Sequence, residues 1–142
     1  MFRHMANREA EIVTQNAFYG TKIKVDYSAV PHAVYSHPQI ASVGLTEAKA
    51  REDYDILIGR TKYFDIAKGE AMMEKQGFAK AIVEKDSSRI LGFHIIGPYA
   101  PELIQEVVNA MTSGGGMEEL GQGIHIHPAL SELVQYTLNS LE

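Results

Sequence analysis

Ala79-Lys80-Ala81-Ile82-Val83-Glu84, followed across Lys85-Asp86-Ser87-Ser88 by Arg89-Ile90-Leu91-Gly92-Phe93-His94-Ile95-Ile96, decides the fold class. β-branched and aromatic side chains suit a pleated surface, whereas Asp and Ser bend their own backbone, so the pattern predicts two strands joined by a turn centred on Asp86-Ser87-Ser88. Strands joined this tightly must run antiparallel. Outward from the hairpin, Ile56 to Phe64 predicts another strand and Ala33-Val34-Tyr35 a shorter one. Helical patterns are mixed among them without regular βαβ alternation. The expected fold class is therefore α+β, an antiparallel β-sheet flanked by helices.

The helical segments are read from apolar spacing. From Phe2 to about Phe18, the side chains of Phe2, Met5, Ala6, Ile12, Val13 and Ala17 share a face, with Arg3, Arg8, Glu11 and Gln15 largely opposite. Tyr19-Gly20 ends this helix, because glycine accepts the left-handed backbone of a helix C-terminus. Thr21 to Tyr27 is a polar link that leads to Val30-Pro31. Thr46 with Glu47 behind it is an N-cap for a helix to about Asp53. Pro98 and Pro101 mark a loop and a helix start. Leu103, Ile104, Val107, Val108 and Met111 then line one helical face until Ser113-Gly114-Gly115-Gly116 breaks it. Met117 to Leu120 makes a turn or short helix, and Leu133, Val134, Leu138 and Leu141 put an apolar stripe on a closing helix.

Composition narrows the class of function. A chain of 142 residues, 45% apolar and 22% charged, has room for one domain with a core. A net charge of −5 with no Lys/Arg-rich stripe argues against a nucleic-acid partner. No apolar run approaches the roughly 20 residues that span a bilayer, and the N-terminus has no charged-then-apolar signal pattern, so no membrane partner and a cytoplasmic location are expected. The chain has no cysteine, so by itself it cannot exchange thiols and disulfides.

Gly123-Ile124-His125-Ile126-His127-Pro128-Ala129-Leu130-Ser131-Glu132 carries the chemistry. His127 and Glu132 set an imidazole and a carboxylate five positions apart across a proline at a helix start. A carboxylate that accepts one ring N–H fixes the tautomer and leaves the other nitrogen free to take a proton. Spacing alone favours a plainer alternative, in which His127 caps the helix, Pro128 takes its first position and Glu132 is a solvated first-turn acid. His125 and His127 point the same way on an extended segment, yet no third or fourth ligand has metal-site spacing, so no metal is expected. His94 is expected on the less buried face of its strand, and His32 and His37, each beside a proline, are expected to shape turns. The glycine triplet has no strand before it and no Lys-Ser/Thr after it, so it is not a phosphate loop.

Four ordered segments resemble one family, the FAD-dependent pyridine nucleotide–disulfide oxidoreductases, most of all dihydrolipoamide dehydrogenase. His125 to Glu132 resembles the HxHPxxSE signature near the family's C-terminus. Met1-Phe2-Arg3-His4-Met5-Ala6-Asn7-Arg8-Glu9-Ala10 resembles the helix after the FAD-binding Gly-Asp; Tyr35 to Glu47, the opening of the dimerisation domain; and Ile90 to Gly97, its central strand. The resemblance implies an N-terminal helix and link (residues 1–27) left from the FAD-binding domain and a dimerisation domain (28–142). It makes His127 the catalytic base and Glu132 its carboxylate partner, reversing the odds set by spacing. Met1, Phe2, Arg3 and His4 match a stretch whose backbone amides face the flavin pyrimidine ring, and His125 becomes a wall residue beside the flavin edge.

By the same resemblance, FAD and NAD(P) serve the parent enzyme, whose cofactor domains and redox cysteine pair lie upstream of this chain. The chain alone is expected to bind neither cofactor and to be inactive, with residues 1–4 frayed. The partners implied are a second copy of the chain, to which His127 is delivered across the interface, and a dithiol or disulfide substrate such as lipoamide. Ala129 stands where threonine or serine is usual, and this His-Pro-Ala-Leu version also resembles the mycothione reductase branch. Mercuric reductases and transhydrogenases share the fold but typically lack the His-Pro pair. A stand-alone, non-catalytic dimerisation module is the alternative of a different class.

Overall fold

A computed structural model describes residues 2–142; Met1 lies outside the described residues. Helix α1 (Arg3–Phe18) is followed by strands β1 (His32–Val34) and β2 (Ile40–Gly44), helix α2 (Glu47–Asp53) and strand β3 (Ile56–Lys62). After a 3-10 turn over Tyr63–Asp65 come helix α3 (Ala67–Ala71), strands β4 (Phe78–Glu84) and β5 (Ile90–Ile96), and helices α4 (Ala100–Thr112), α5 (Met117–Gly121) and α6 (Glu132–Asn139). The five strands form one antiparallel sheet in the order β1-β2-β5-β4-β3. The expected hairpin is its centre.

Side-chain alternation sorts the sheet into two faces. Ala41, Val43, Ala79, Ala81, Val83, Phe93 and Ile95 point to one face and pack under α4, α5 and α6 through Ile104, Val107, Leu120, Leu133 and Leu138. On the other face Ile56, Ile58, Ile82 and Leu91 pack with Ala50 of α2. The β4–β5 register steps from Ile82↔Gly92 to Val83↔Ile90, leaving Leu91 unmatched. This irregularity sends Ile90 to the first core and Leu91 to the second. His94 is half-buried between Phe93 and Ile95, on the less covered face as expected.

Several boundaries differ from the sequence reading. The strand expected over 56–64 stops at Lys62, because Asp65 accepts the Lys62 N–H at 3.1 Å and turns the chain. Tyr63 swings into the core instead, fully buried, and its hydroxyl donates to the Pro98 carbonyl at 2.8 Å. Gly97, at φ +148°, backs onto that ring; a Cβ there would stand 2.5 Å from Tyr63 Cε2. β2 and α3 were not foreseen. His32 opens β1 and does not shape a turn, while His37 does lie in a bend.

Thr46 caps α2 by accepting the Lys49 N–H, as its sequence position predicts. In the first turn of α2, Glu47 accepts from Lys80 of β4 and from Arg51 at 2.8 Å, and these donors lower its pKa to about 2. The chain's last residues cover the open edge of β3: Ile58 N–H donates to Glu142 O at 3.1 Å and Arg60 N–H to Ser140 Oγ at 2.9 Å. The stripe expected on α6 extends past its end, as Leu141 lies beyond Asn139 yet still packs on the core.

Helix α1 begins at Arg3 with Phe2 as its N-cap, so Phe2, Arg3 and His4 are not frayed, contrary to expectation, and Met1 lies outside the described residues. The His4 ring nitrogen Nε2 lies 2.8 Å from the Pro31 carbonyl, the Phe2 ring stacks parallel to His4 at 5.4 Å, and Ile12 is buried. The amphipathic reading holds only in part. Of the face read from the sequence, Phe2, Val13 and Ala17 are exposed, whereas Met5 and Ala6 are partly covered and Ile12 is buried.

Candidate active site

The segment 123–129 leaves α5 and enters α6 without helix or strand of its own. Helix α6 starts at Glu132, four residues after Pro128, so Pro128 is not its first residue and His127 is not its cap. Glu132 instead reaches back. Its Oε2 accepts the Ala129 N–H at 2.9 Å and its Oε1 lies 2.8 Å from His127 Nδ1. The His127–Pro128 peptide bond is cis.

A carboxylate oxygen can only accept, so Nδ1 of His127 carries the proton and Nε2 presents its lone pair. The His127 side chain is 66% exposed, whereas that of Glu132 is 7% exposed. The pair thus has a buried anchor and a free outward edge. The Ala129 N–H first, and then the His127 N–H, hold the Glu132 carboxyl below the ordinary carboxylate range. Glu132 therefore stays ionised and able to sustain an imidazolium on His127. Leu133, Val134 and Leu138 are fully buried and fix α6, and with it Glu132, against the sheet.

His125 is tied differently. Its Nε2 lies 2.8 Å from Glu106 Oε1 of α4 and its Nδ1 3.1 Å from the Gly123 carbonyl. Both nitrogens thus face oxygens of the chain itself, and the ring N–H serves one of these acceptors in either neutral tautomer. Glu106, nineteen residues away, was not singled out from the sequence, and no local pattern there could have marked it. Among the described residues no group of three or more His, Asp or Glu side chains converges as a metal site. Phe2, Arg3 and His4 lie in the first turn of α1, whose amides have no side-chain cap; His4 turns its imidazole to Pro31, and Met1 lies outside the described residues. Among the described residues no helix is long and apolar enough to cross a membrane.

Comparison with known proteins agrees with this architecture. The chain is 40% identical to mycothione reductase of Mycobacterium tuberculosis over 99% of its own length and 32% of that protein's. It is 37% identical to dihydrolipoyl dehydrogenase of Synechocystis over 94% of its length and 29% of that protein's. It thus spans about a third of the length of these curated relatives. Among solved structures, the HOCl-induced flavoprotein disulfide reductase RclA from Escherichia coli superposes with a TM-score of 0.89 at 28% identity, covering 98% of this chain and 32% of that one. Residues 30–138 match the family described as pyridine nucleotide-disulphide oxidoreductase, dimerisation domain, and to that family the chain belongs.

Proposed function

We propose that this chain is the dimerisation domain of a flavin-dependent NAD(P)H:disulfide oxidoreductase, and that it supplies the His127–Glu132 acid–base pair to the redox cysteines of a second subunit. The division proposed is a helix and link over 1–27 that belong with an FAD-binding domain and a dimerisation domain over 28–142. The observation that carries the reading is the 2.8 Å contact between His127 Nδ1 and Glu132 Oε1, with the opposite edge of the ring exposed. Nε2 takes a proton from a substrate thiol, the thiolate attacks the second subunit's cysteine disulfide so that a mixed S–S bond replaces the original one, and the imidazolium, sustained by Glu132, gives its proton to the cysteine thiolate released. A homodimer places that edge at the partner's site.

The residues present fit FAD at one place. The uncapped first turn of α1, at Arg3 and His4, offers unpaired amides and positive potential to an anionic ring edge. His125 has no ring nitrogen left for a cofactor. Bound FAD would relay electrons between a cysteine pair and the nicotinamide, towards NAD(P)+ when a dithiol is oxidised and from NAD(P)H when a disulfide is reduced. The substrate proposed is a small dithiol of the dihydrolipoamide kind. Mycothione disulfide is a second reading, favoured by Ala129 and by the 40% identity to a mycothione reductase.

The test is His127→Gln in the flavoenzyme that carries this chain. Dithiol oxidation should fall by roughly two to four orders of magnitude, the usual worth of a positioned base, while NADH oxidation by an artificial acceptor persists. Equal loss of both activities overturns the assignment.

A further inference from the structure

We infer that His125 and Glu106 form a positioning pair that fastens the segment 123–129 to α4 and thereby sets where the His127 ring stands; this deepens the proposed role of His127 and rests on it. The segment has little else to hold it. Ile124 and Ile126, at 103% and 77% exposed, point away from the rest of the chain and give the segment no apolar anchor within it. Among the described residues, no backbone–backbone hydrogen bond outside the helices and strands involves residues 123–129. The polar contacts that remain are those of His125 at one end and of Glu132, to His127 and Ala129, at the other.

The two imidazoles, two residues apart, are held by carboxylates from two different helices and through opposite nitrogens. His127 uses Nδ1 on Glu132 of α6; His125 uses Nε2 on Glu106 of α4. Only the first leaves a nitrogen for chemistry. The His125 side chain is 8% exposed and both its nitrogens face oxygens, so it fastens and does not exchange protons with a substrate. Glu106 is a rigid post, because its neighbours Ile104, Val107 and Val108 are buried under the sheet. With Glu106 removed, the segment pivots on Glu132 alone, and His127 Nε2 loses its fixed place. Displacement of a reacting group by about 1 Å costs on the order of a hundredfold in rate.

The test reads the ring nitrogens of His127 by nitrogen NMR of this chain, beside its melting temperature. In Glu106→Leu, of similar bulk but without an acceptor, the His127 ring signals should shift and spread over more than one environment. Glu106→Gln keeps an oxygen at the same place and should restore a single set. Unmoved His127 signals in a folded Glu106→Leu chain overturn the inference, as do equal shifts in the Leu and Gln variants. Should Glu106→Leu not fold, His125→Phe is read by the same criterion. The ring signals do not depend on turnover. Full dithiol oxidation in His127→Gln flavoenzyme would remove the acid–base reading and leave these signals, and what they say of positioning, unchanged.

Discussion

Gly59 of β3 lies directly against the backbone of Thr137 in α6: a Cβ at Gly59 would stand 2.0 Å from the Thr137 carbonyl oxygen. No side chain larger than hydrogen fits there, so the helix that carries Glu132 rests on the bare strand. The site at its N-terminus is positioned by a contact near its C-terminus. Gly59→Ala must push α6 off β3, and overpacking of this kind costs about 1–3 kcal/mol. Thermal unfolding should show that loss, and an unchanged melting temperature would mean that the helix yields without strain.

Tyr63 separates burial from hydrogen bonding. Tyr63→Phe removes only the bond to the Pro98 carbonyl and should cost about 0.5–1.5 kcal/mol. Tyr63→Ala empties the space walled by Gly77 and Gly97 and should cost about 3–5 kcal/mol, as other aromatic deletions in cores do. Denaturant unfolding of the two variants checks the difference. Similar losses in both would place the energy in the hydroxyl.

What could be read in the sequence was what is local. The β4–β5 hairpin shows itself in two β-branched runs about a polar turn, and His127 and Glu132 are close enough along the chain for their pairing to be expected. β2 was missed because Ile40-Ala41-Ser42-Val43-Gly44 has few large side chains, although Ala41 and Val43 are fully buried under the helices. Its small residues fit a crowded centre. Helix α3, five residues long, is too short to display a period. Tyr63 suits a strand by propensity, but tertiary packing takes it into the core. Glu106 meets His125 only because α4 crosses the sheet, a relationship no spacing encodes.

The exposed apolar side chains around the site predict association. Ile124 and Ile126 stand out on the segment that carries His127 and Tyr136 on α6, and a dimerisation domain implies a dimer. Sedimentation should give a two-fold dimer in which these side chains are covered. A strictly monomeric chain well above micromolar concentration would refute the homodimer.

His94 and Glu47 are among the groups that make stability depend on pH in the same direction. Burial lowers the His94 pKa from its ordinary 6.5, opposed by the bond to the Leu45 carbonyl and assisted by Lys80 and His32. Its contribution is present above pH 6.5 and is lost as pH falls through the folded value. Glu47, lowered from 4.5 to about 2 by Lys80 and Arg51, contributes above 4.5 and loses that contribution as pH falls towards 2. The melting temperature of the wild type should therefore decline in two stages on acidification. His94→Gln should flatten the first stage and Glu47→Gln the second. A constant offset between wild type and Glu47→Gln across pH 4.5 to 2 would show that the ion pairs are not the cause.

Glu132→Gln tests the anchor of the proposed pair. The carboxylate now serves two donors, the His127 N–H through one oxygen and the Ala129 N–H through the other. An amide has only one oxygen, so only one of these N–H groups keeps an acceptor. If the Ala129 N–H keeps the oxygen, the amide NH₂ donates to His127 Nδ1 and favours the tautomer with the proton on Nε2, so that the ring can act as a base only through its less favoured tautomer. Turnover of a dithiol by the flavoenzyme should then fall, but by less than in His127→Gln, because an imidazole still stands at the site. A loss as large as that of His127→Gln, together with a large fall in melting temperature, would make Glu132 a structural strut of the turn and deny it any part in orienting the base.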